Sequence, residues 1–189
     1  MAFVFAWNRR RNINLLPADT TLFVSIILSV RNEEKAIQSL LYSMQNQTYK
    51  NFEVIIVDDG STDETEDDLF DYLKSFEFIK YIRHSNRKHP LSLNTGILNS
   101  NGKFITFIDS DDEYKSEHLE LRKRVLLQHP ELDLLYGGIE IHGDPYVVDF
   151  YDNSKKIHLD RCYVGATFFF KRNELIELGG FRNIDYGED

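Results

Sequence analysis

Phe104-Ile105-Thr106-Phe107-Ile108-Asp109-Ser110-Asp111-Asp112 sets five strand-like residues directly ahead of three carboxylates. The apolar half is short, rich in aromatic and β-branched residues, and opened by Asn101-Gly102 as a turn, which predicts a buried strand. The acids fall where that strand leaves its sheet, and in open α/β sheets ligands bind at the carboxyl ends of strands. Carboxylates crowded at one strand end repel each other unless a cation or strong donors intervene. A hard divalent ion with oxygen ligands, shared with a phosphate, answers that need. The plainer alternative is a solvated acidic turn leading into the next helix.

The same arrangement stands earlier in the chain. Phe52 to Val57 reads as a strand ending in Asp58-Asp59-Gly60-Ser61-Thr62-Asp63, with Gly60 for a tight turn and Ser61 or Thr62 to cap the next helix. Before it, Leu22 to Val30 is a nearly continuous apolar run that suits a parallel strand buried on both faces. Asn32 is expected to cap a helix with Glu33 and Glu34 in its first turn and Ile37, Leu40, Leu41 and Met44 as its core stripe. The helix after Asp63 is expected to reach about Phe76, with Leu69, Phe70, Tyr72, Leu73 and Phe76 inward. Phe78 to His84 alternates as a third strand. Ser85-Asn86-Arg87-Lys88-His89-Pro90 is a basic loop in an acidic chain, and a helix from about Leu91 to Asn99 follows it. The order β-α-β-α-β-α-β argues for an α/β, doubly wound, mostly parallel sheet with helices on both faces. No glycine-rich phosphate cradle follows the first strand, which leaves phosphate to a metal and basic side chains.

Beyond Asp112, a helix from about Ser116 to Gln128 should turn Leu119, Val125 and Leu126 inward and leave Arg122, Lys123 and Arg124 more exposed, with His129-Pro130 ending it. Leu132 to Ile141 reads as one or two strands broken by glycine, and 143–160 as a hairpin or a mobile loop. Val164 to Phe170 reads as a strand, and Asn173 as the cap of a short helix, Glu174 to Leu178, stopped by Gly179-Gly180.

A length of 189 residues fits one folded domain, read as 21–189, on a prior of about 100–200 residues per domain. The net charge of −9 disfavours a nucleic-acid binder, which would want a basic face, but allows a nucleotide whose charge a metal offsets. Cys162, read as a strand residue, is the one cysteine, so no disulfide forms within the chain and a reducing, cytoplasmic compartment fits. No apolar run approaches transmembrane length. Met1 to Trp7 is apolar and precedes Arg9-Arg10-Arg11, the reverse of a secretory signal. Residues 1–20 are therefore read as an arm that packs on the domain or frays, with peripheral contact to an anionic membrane left open.

Several short pieces together carry a family pattern: Val24-Ser25-Ile26-Ile27 through Asn32-Glu33, Gln47-Thr48-Tyr49, Glu53 to Asp63, Asn94-Thr95-Gly96-Ile97, Gly102-Lys103-Phe104-Ile105, Asp109-Ser110-Asp111-Asp112, and Gly179-Gly180-Phe181 before Glu188-Asp189. In this order and spacing the chain resembles the family 2 glycosyltransferases of the GT-A fold. The resemblance implies a Rossmann-like, mostly parallel central sheet and a metal-dependent, inverting transfer. The sugar would come from a nucleotide diphosphate donor, usually UDP, and go to a hydroxyl of a glycan or lipid-linked acceptor. By the same resemblance Asp58 would accept from the uracil N–H with Asp59 beside it, and Ser29, Arg31 and Asn32 would contact base and ribose. Asp109 and Asp111 match the DxD pattern around Ser110. Asp111 would contact Mn²⁺ or Mg²⁺ directly, and Asp109 would face the ribose or the ion's hydration shell. Lys88 or Arg87, and Asn94, would lie at the diphosphate. Glu188-Asp189 matches the ED motif, with Asp189 as general base and Glu188 as the alternative base or an acceptor contact.

The chain departs from the pattern in three places. Ser29 and Arg31 stand where the family often has proline and an aromatic, Leu93 replaces an arginine before Asn94, and the chain stops at the ED motif where relatives continue. It is accordingly read as truncated there, able to bind donor and metal while transferring weakly or not at all. Specificity for sugar and acceptor is expected in 137–165 and in whatever should follow Asp189. A phospho-acceptor signalling domain would need an acidic pair where Arg31-Asn32 stands, and a nucleotidyltransferase would need a glycine-rich signature near the start. A non-catalytic nucleotide-sugar-binding remnant differs from the enzyme only in assay.

Overall fold

A computed structural model of the chain describes residues 5–7, 22–34, 36–76 and 78–183. Among them the elements run β1 (Phe5–Trp7), β2 (Val24–Val30), α1 (Ile37–Gln45), β3 (Phe52–Asp58), α2 (Thr65–Ser75), β4 (Ile79–Arg83), α3 (His89–Asn99), β5 (Phe104–Phe107), α4 (His118–Gln128), β6 (Leu134–Tyr136), β7 (Tyr146–Val148), β8 (Lys156–His158), β9 (Phe169–Lys171) and α5 (Arg172–Glu177). The main sheet has the order β1-β6-β9-β5-β2-β3-β4. Strands β5, β2, β3 and β4 are parallel neighbours, and β9 enters antiparallel to both β5 and β6. The expected α/β class with a mostly parallel central sheet is the observed one.

Strand alternation divides the interior in two. Val24, Ile26, Leu28 and Val30 of β2 pack with Ile37, Leu40, Leu41 and Met44 of α1, Leu69 of α2, and Leu119 and Leu126 of α4. On the other face Ile27 packs with Ile105 and Phe107 of β5, Leu93 and Ile97 of α3, and Leu175 of α5. All seven residues of β3 are buried, which is why its sequence reads as apolar almost throughout. In register, Val30 faces Asp58 across β2 and β3, and Ile27 faces Phe107 across β2 and β5. The residues following these strands therefore share one edge of the sheet.

Three expected helix caps differ. α1 begins at Ile37 after Ala36, α2 at Thr65 after Glu64, and α5 at Arg172 after Lys171, none with a side-chain cap. Asn32 lies instead in a left-handed turn with φ 59°, and Asn173 is inside its helix. Asn32 and Ser61 spend their hydrogen bonds between turns, as described below, so they do not close a helix of their own. Phe70 points outward, 54% exposed under the Lys74 ammonium, while Tyr72, Leu73 and Phe76 pack on the core. Arg122 turns inward, its guanidinium carbon 5.5 Å from the centre of the Phe169 ring. The Val164 to Phe170 strand is reduced to β9, because one turn of 3-10 helix, Gly165–Thr167, precedes it. Cys162 follows another such turn, Leu159–Arg161, and is not in a strand. β7 and β8 form the hairpin expected within 143–160. Of the expected arm, residues 5–7 are described and pair with β6, Phe5 opposite Tyr136.

Candidate functional site

The shared edge is built by two turns that stitch to each other. The Asn32 N–H donates to Ser61 Oγ at 3.0 Å, and Asn32 Oδ1 accepts from the Thr62 N–H at 2.8 Å. The Glu33 N–H donates to Thr65 Oγ1 at 2.9 Å. The left-handed turn of Asn32 makes this crossing possible, since short polar side chains tolerate that conformation. Ser29 is half-buried just before the turn, and Arg31 and Asn32 are exposed on it.

Asp58 and Asp59 anchor this rim from below. Asp58 is fully buried; Oδ1 accepts from the Ser61 N–H at 2.7 Å and Oδ2 from the Tyr81 hydroxyl at 2.6 Å, with Arg83 Nε 3.7 Å away. Burial, reinforced by the Asp58 carboxylate, pushes the Tyr81 phenol well above its ordinary range. Asp59 Oδ1 accepts from the Arg87 N–H at 2.7 Å, and Oδ2 from the Lys88 N–H at 3.0 Å. His84 Nδ1 lies 3.2 Å from Asp59 Oδ1. One buried carboxylate thus fixes the path of the basic loop and holds Lys88 at φ 77° where α3 begins. Gly60, at φ 80°, lets that loop cross directly above: a β-carbon there would stand 3.0 Å from the Asn86 nitrogen.

Asp109 to Asp112 leave β5 along the same edge. The Asp112 N–H donates to the Asp109 carbonyl at 3.1 Å, closing a turn on which Asp109, Asp111 and Asp112 are exposed and Ser110 half-buried. Partial desolvation raises the Asp109 carboxyl above its usual range, with His89 opposing and Asp111 adding to the rise. Asp112 is raised by desolvation, then by Asp109 and Asp111. Crowded oxygen donors of this kind fit a hard cation such as Mn²⁺ or Mg²⁺. Among the described residues no three His, Cys, Asp or Glu side chains close a complete cage.

The edge brings together Ser29, Arg31, Asn32, Asp58, Asp59, Lys88, Asp109, Ser110 and Asp111 as strand-end neighbours. Asn94 is engaged elsewhere: both atoms of its amide bond the Phe181 backbone. The Glu188-Asp189 pair lies outside the described residues. Sequence reasoning missed Tyr81 and Arg83, which reach Asp58 from alternate positions of β4, and it did not single out His84 or Asp112. The signal for the first two was present, as polar tips two residues apart at the end of a strand. Gln47 proves structural: its buried amide donates to the Lys115 carbonyl at 2.9 Å and accepts from the Leu119 N–H at 3.2 Å, tying α1 to the start of α4.

Residues 25–178 match the family described as Glycosyl transferase family 2. A Campylobacter jejuni GalNAc(5)-diNAcBac-PP-undecaprenol beta-1,3-glucosyltransferase is 34% identical over 88% of this chain and 57% of its own length. Among solved structures, S. aureus TarS 1-349 in complex with UDP aligns with a TM-score of 0.66 at 24% identity, over 84% of this chain and 49% of that one. The mannosyltransferase PcManGT from Pyrobaculum calidifontis, in complex with GDP-Man and Mn²⁺, aligns with a TM-score of 0.66 at 22% identity, over 88% and 51%. The chain thus spans about half the length of these three proteins. At these identities the solved structures speak to the fold, which they share with this chain. No described helix is long and apolar enough to cross a membrane. The matched segment takes in the strand-end turns, the basic loop and the acidic turn, and the chain belongs to glycosyltransferase family 2.

Proposed function

We propose that this chain holds the nucleotide-sugar site of an inverting glycosyltransferase that moves a sugar from a UDP-sugar to a hydroxyl of a growing glycan. The observation that carries the reading is the meeting, on one sheet edge, of the Asp109 to Asp112 turn with a basic loop pinned by Asp59. Support comes also from TarS, solved with UDP and with UDP-GlcNAc. The Campylobacter relative, named for an undecaprenol diphosphate acceptor, supports a lipid-linked glycan as the receiving group.

Base and ribose are assigned to the Ser29 to Asn32 turn, above Asp58 and Asp59. Lys88, with Arg87, is assigned to the diphosphate, where fixed cations stabilise charge that grows as the bond to the sugar breaks. Asn94, whose amide is committed to Phe181, acts there by holding the neighbouring turn. Asp111, with Asp109, would hold Mn²⁺ or Mg²⁺, which when bound offsets the charge of the departing diphosphate; the Mn²⁺ complex of PcManGT supports this. Asp189, or Glu188 in its place, is assigned the acceptor proton as general base. An acceptor of this kind would bring the chain to a membrane surface on the cytoplasmic side. Titration with UDP in the presence of Mn²⁺ or Mg²⁺ tests the donor reading. Failure of UDP, GDP and dTDP alike to bind would overturn it.

A further inference from the structure

Three aromatic side chains stand on the sheet edge without a part in the donor site. β6 runs parallel to β5, because each pairs antiparallel with β9. The end of β6 at Tyr136, and Phe168 just before β9, therefore lie on the same edge as Asp109. They lie across β5 from β2, β3 and β4, which carry the nucleotide turns. Tyr163 is 75% exposed there. Its ring centre is 5.4 Å from that of Tyr136 at an interplanar angle of 73°. Tyr136 meets Phe168 at 6.1 Å, Phe168 meets Phe170 at 5.7 Å, and Phe170 meets Phe107 at 6.3 Å, all edge to face. The ladder is rooted in the core, since Phe107 is buried and Phe170 packs beside it. The segment is also tied to the acidic turn. The Tyr114 hydroxyl donates to the Phe107 carbonyl at 2.6 Å and lies 3.5 Å from the carbonyl of Ala166, three residues past Tyr163.

A tyrosine at this exposure normally gains little from being held still. Here the edge-to-face contact with Tyr136 restrains it, which lowers the entropy cost of presenting a flat apolar face to a ligand. The C–H-rich face of a pyranose ring complements such a ring: it is apolar, and its hydrogens meet the negative face of the aromatic system. The phenol at the ring's edge, which is hydrogen-bonded to Tyr136, keeps a further position for a sugar hydroxyl.

We propose that Tyr163, backed by Tyr136 and Phe168, is a stacking platform for a pyranose ring of the acceptor glycan. This rests on the glycosyltransferase reading above and adds the chemical class of the acceptor group and the residue that selects it. The test is retention on a printed array of pyranoside glycans, read for the wild-type chain, Tyr163→Ala and Tyr163→Phe. The wild type should retain a subset of glycans. Tyr163→Phe should keep that subset within about threefold, because the stacking face survives. Tyr163→Ala should lose about tenfold or more, the scale expected when a buried aromatic contact is removed. Its thermal midpoint should fall only slightly, as the ring makes a single edge-to-face contact among the described residues, with Tyr136. Equal retention by Tyr163→Ala, or no retained pyranoside for the wild type, overturns the proposal. UDP and Mn²⁺ titration of the wild type is read separately, and failure there would refute the donor reading and not the platform.

Discussion

The side-chain amide of Asn94 and the backbone of Phe181 form a closed pair of hydrogen bonds, 2.8 Å in each direction. It joins α3, whose first turn borders the donor side, to the turn after α5, which leads toward Glu188-Asp189 in the sequence. Replacing Asn94 by alanine leaves both backbone groups of Phe181 without these partners. A cost of about 1–3 kcal/mol is expected, read as a lower urea midpoint. An unchanged midpoint would mean that the clamp does not hold the turn.

The same clamp separates two neighbouring glycines. Both Gly179 and Gly180 have positive φ, 87° and 68°, so alanine at either pays a left-handed penalty of about 1–2 kcal/mol. A β-carbon on Gly179 meets nothing within 4 Å, whereas one on Gly180 would lie 2.3 Å from Asn94 Oδ1. Gly180→Ala should therefore destabilise more than Gly179→Ala. In an Asn94→Ala background the excess should vanish, which a double-mutant cycle measures directly.

Asp59 fixes the basic loop through two backbone N–H groups, so its loss should act on the donor through a residue that need not touch it. Asp59→Ala is expected to weaken UDP binding in Mn²⁺ by about tenfold, the scale of one charge-assisted hydrogen bond. The readout is the dissociation constant by calorimetry, and wild-type affinity would show that the loop is held by other means.

Glu53 gives a pH signature far from the site. Burial alone would raise its carboxyl, but hydrogen bonds from Lys80, Ser25 and the Asn101 N–H, with the Lys80 charge, hold it below the usual glutamate range. A group whose folded value is depressed stabilises the fold above its unfolded value and loses that contribution as pH falls through the folded one. Glu53→Gln should therefore cost about 1–3 kcal/mol near neutrality, and the difference from wild type should shrink on acidification below the ordinary glutamate range. A gap independent of pH would contradict the assignment.

Arg122 is half-buried beside Phe169, with its buried Nε unpartnered and no carboxylate paired to it among the described residues, and desolvation lowers its basicity. Unpaired buried charge is costly, and apolar groups of similar volume often replace it without loss. Arg122→Met is expected to leave stability unchanged or raise it by about 1–4 kcal/mol, measured by thermal and urea unfolding. A clear loss would show that the guanidinium contributes through contacts beyond Phe169.

The strands were legible because β2, β3 and β5 are buried on both faces and their residues carry little else. The acidic strand ends were legible for the complementary reason, that charge interrupts an apolar run abruptly. The caps were not legible. Asn32 and Ser61 have the right chemistry for capping, but which N–H they meet depends on two turns 29 residues apart approaching in space. Phe70 and Arg122 went astray alike, because helical spacing gives a face and not its neighbours: a lysine covers one, an aromatic ring accepts the other. The inward turn of Asp58 and Asp59 was likewise hidden, since their partners Tyr81, Arg87 and Lys88 come from later elements.

Calorimetric titration of UDP with and without Mn²⁺, on the wild type and on Asp111→Ala, tests the central claim most directly. Binding that requires Mn²⁺ in the wild type and is lost in Asp111→Ala is the predicted result. Binding of UDP that is indifferent to both the metal and the substitution would contradict the role given to the acidic turn after β5.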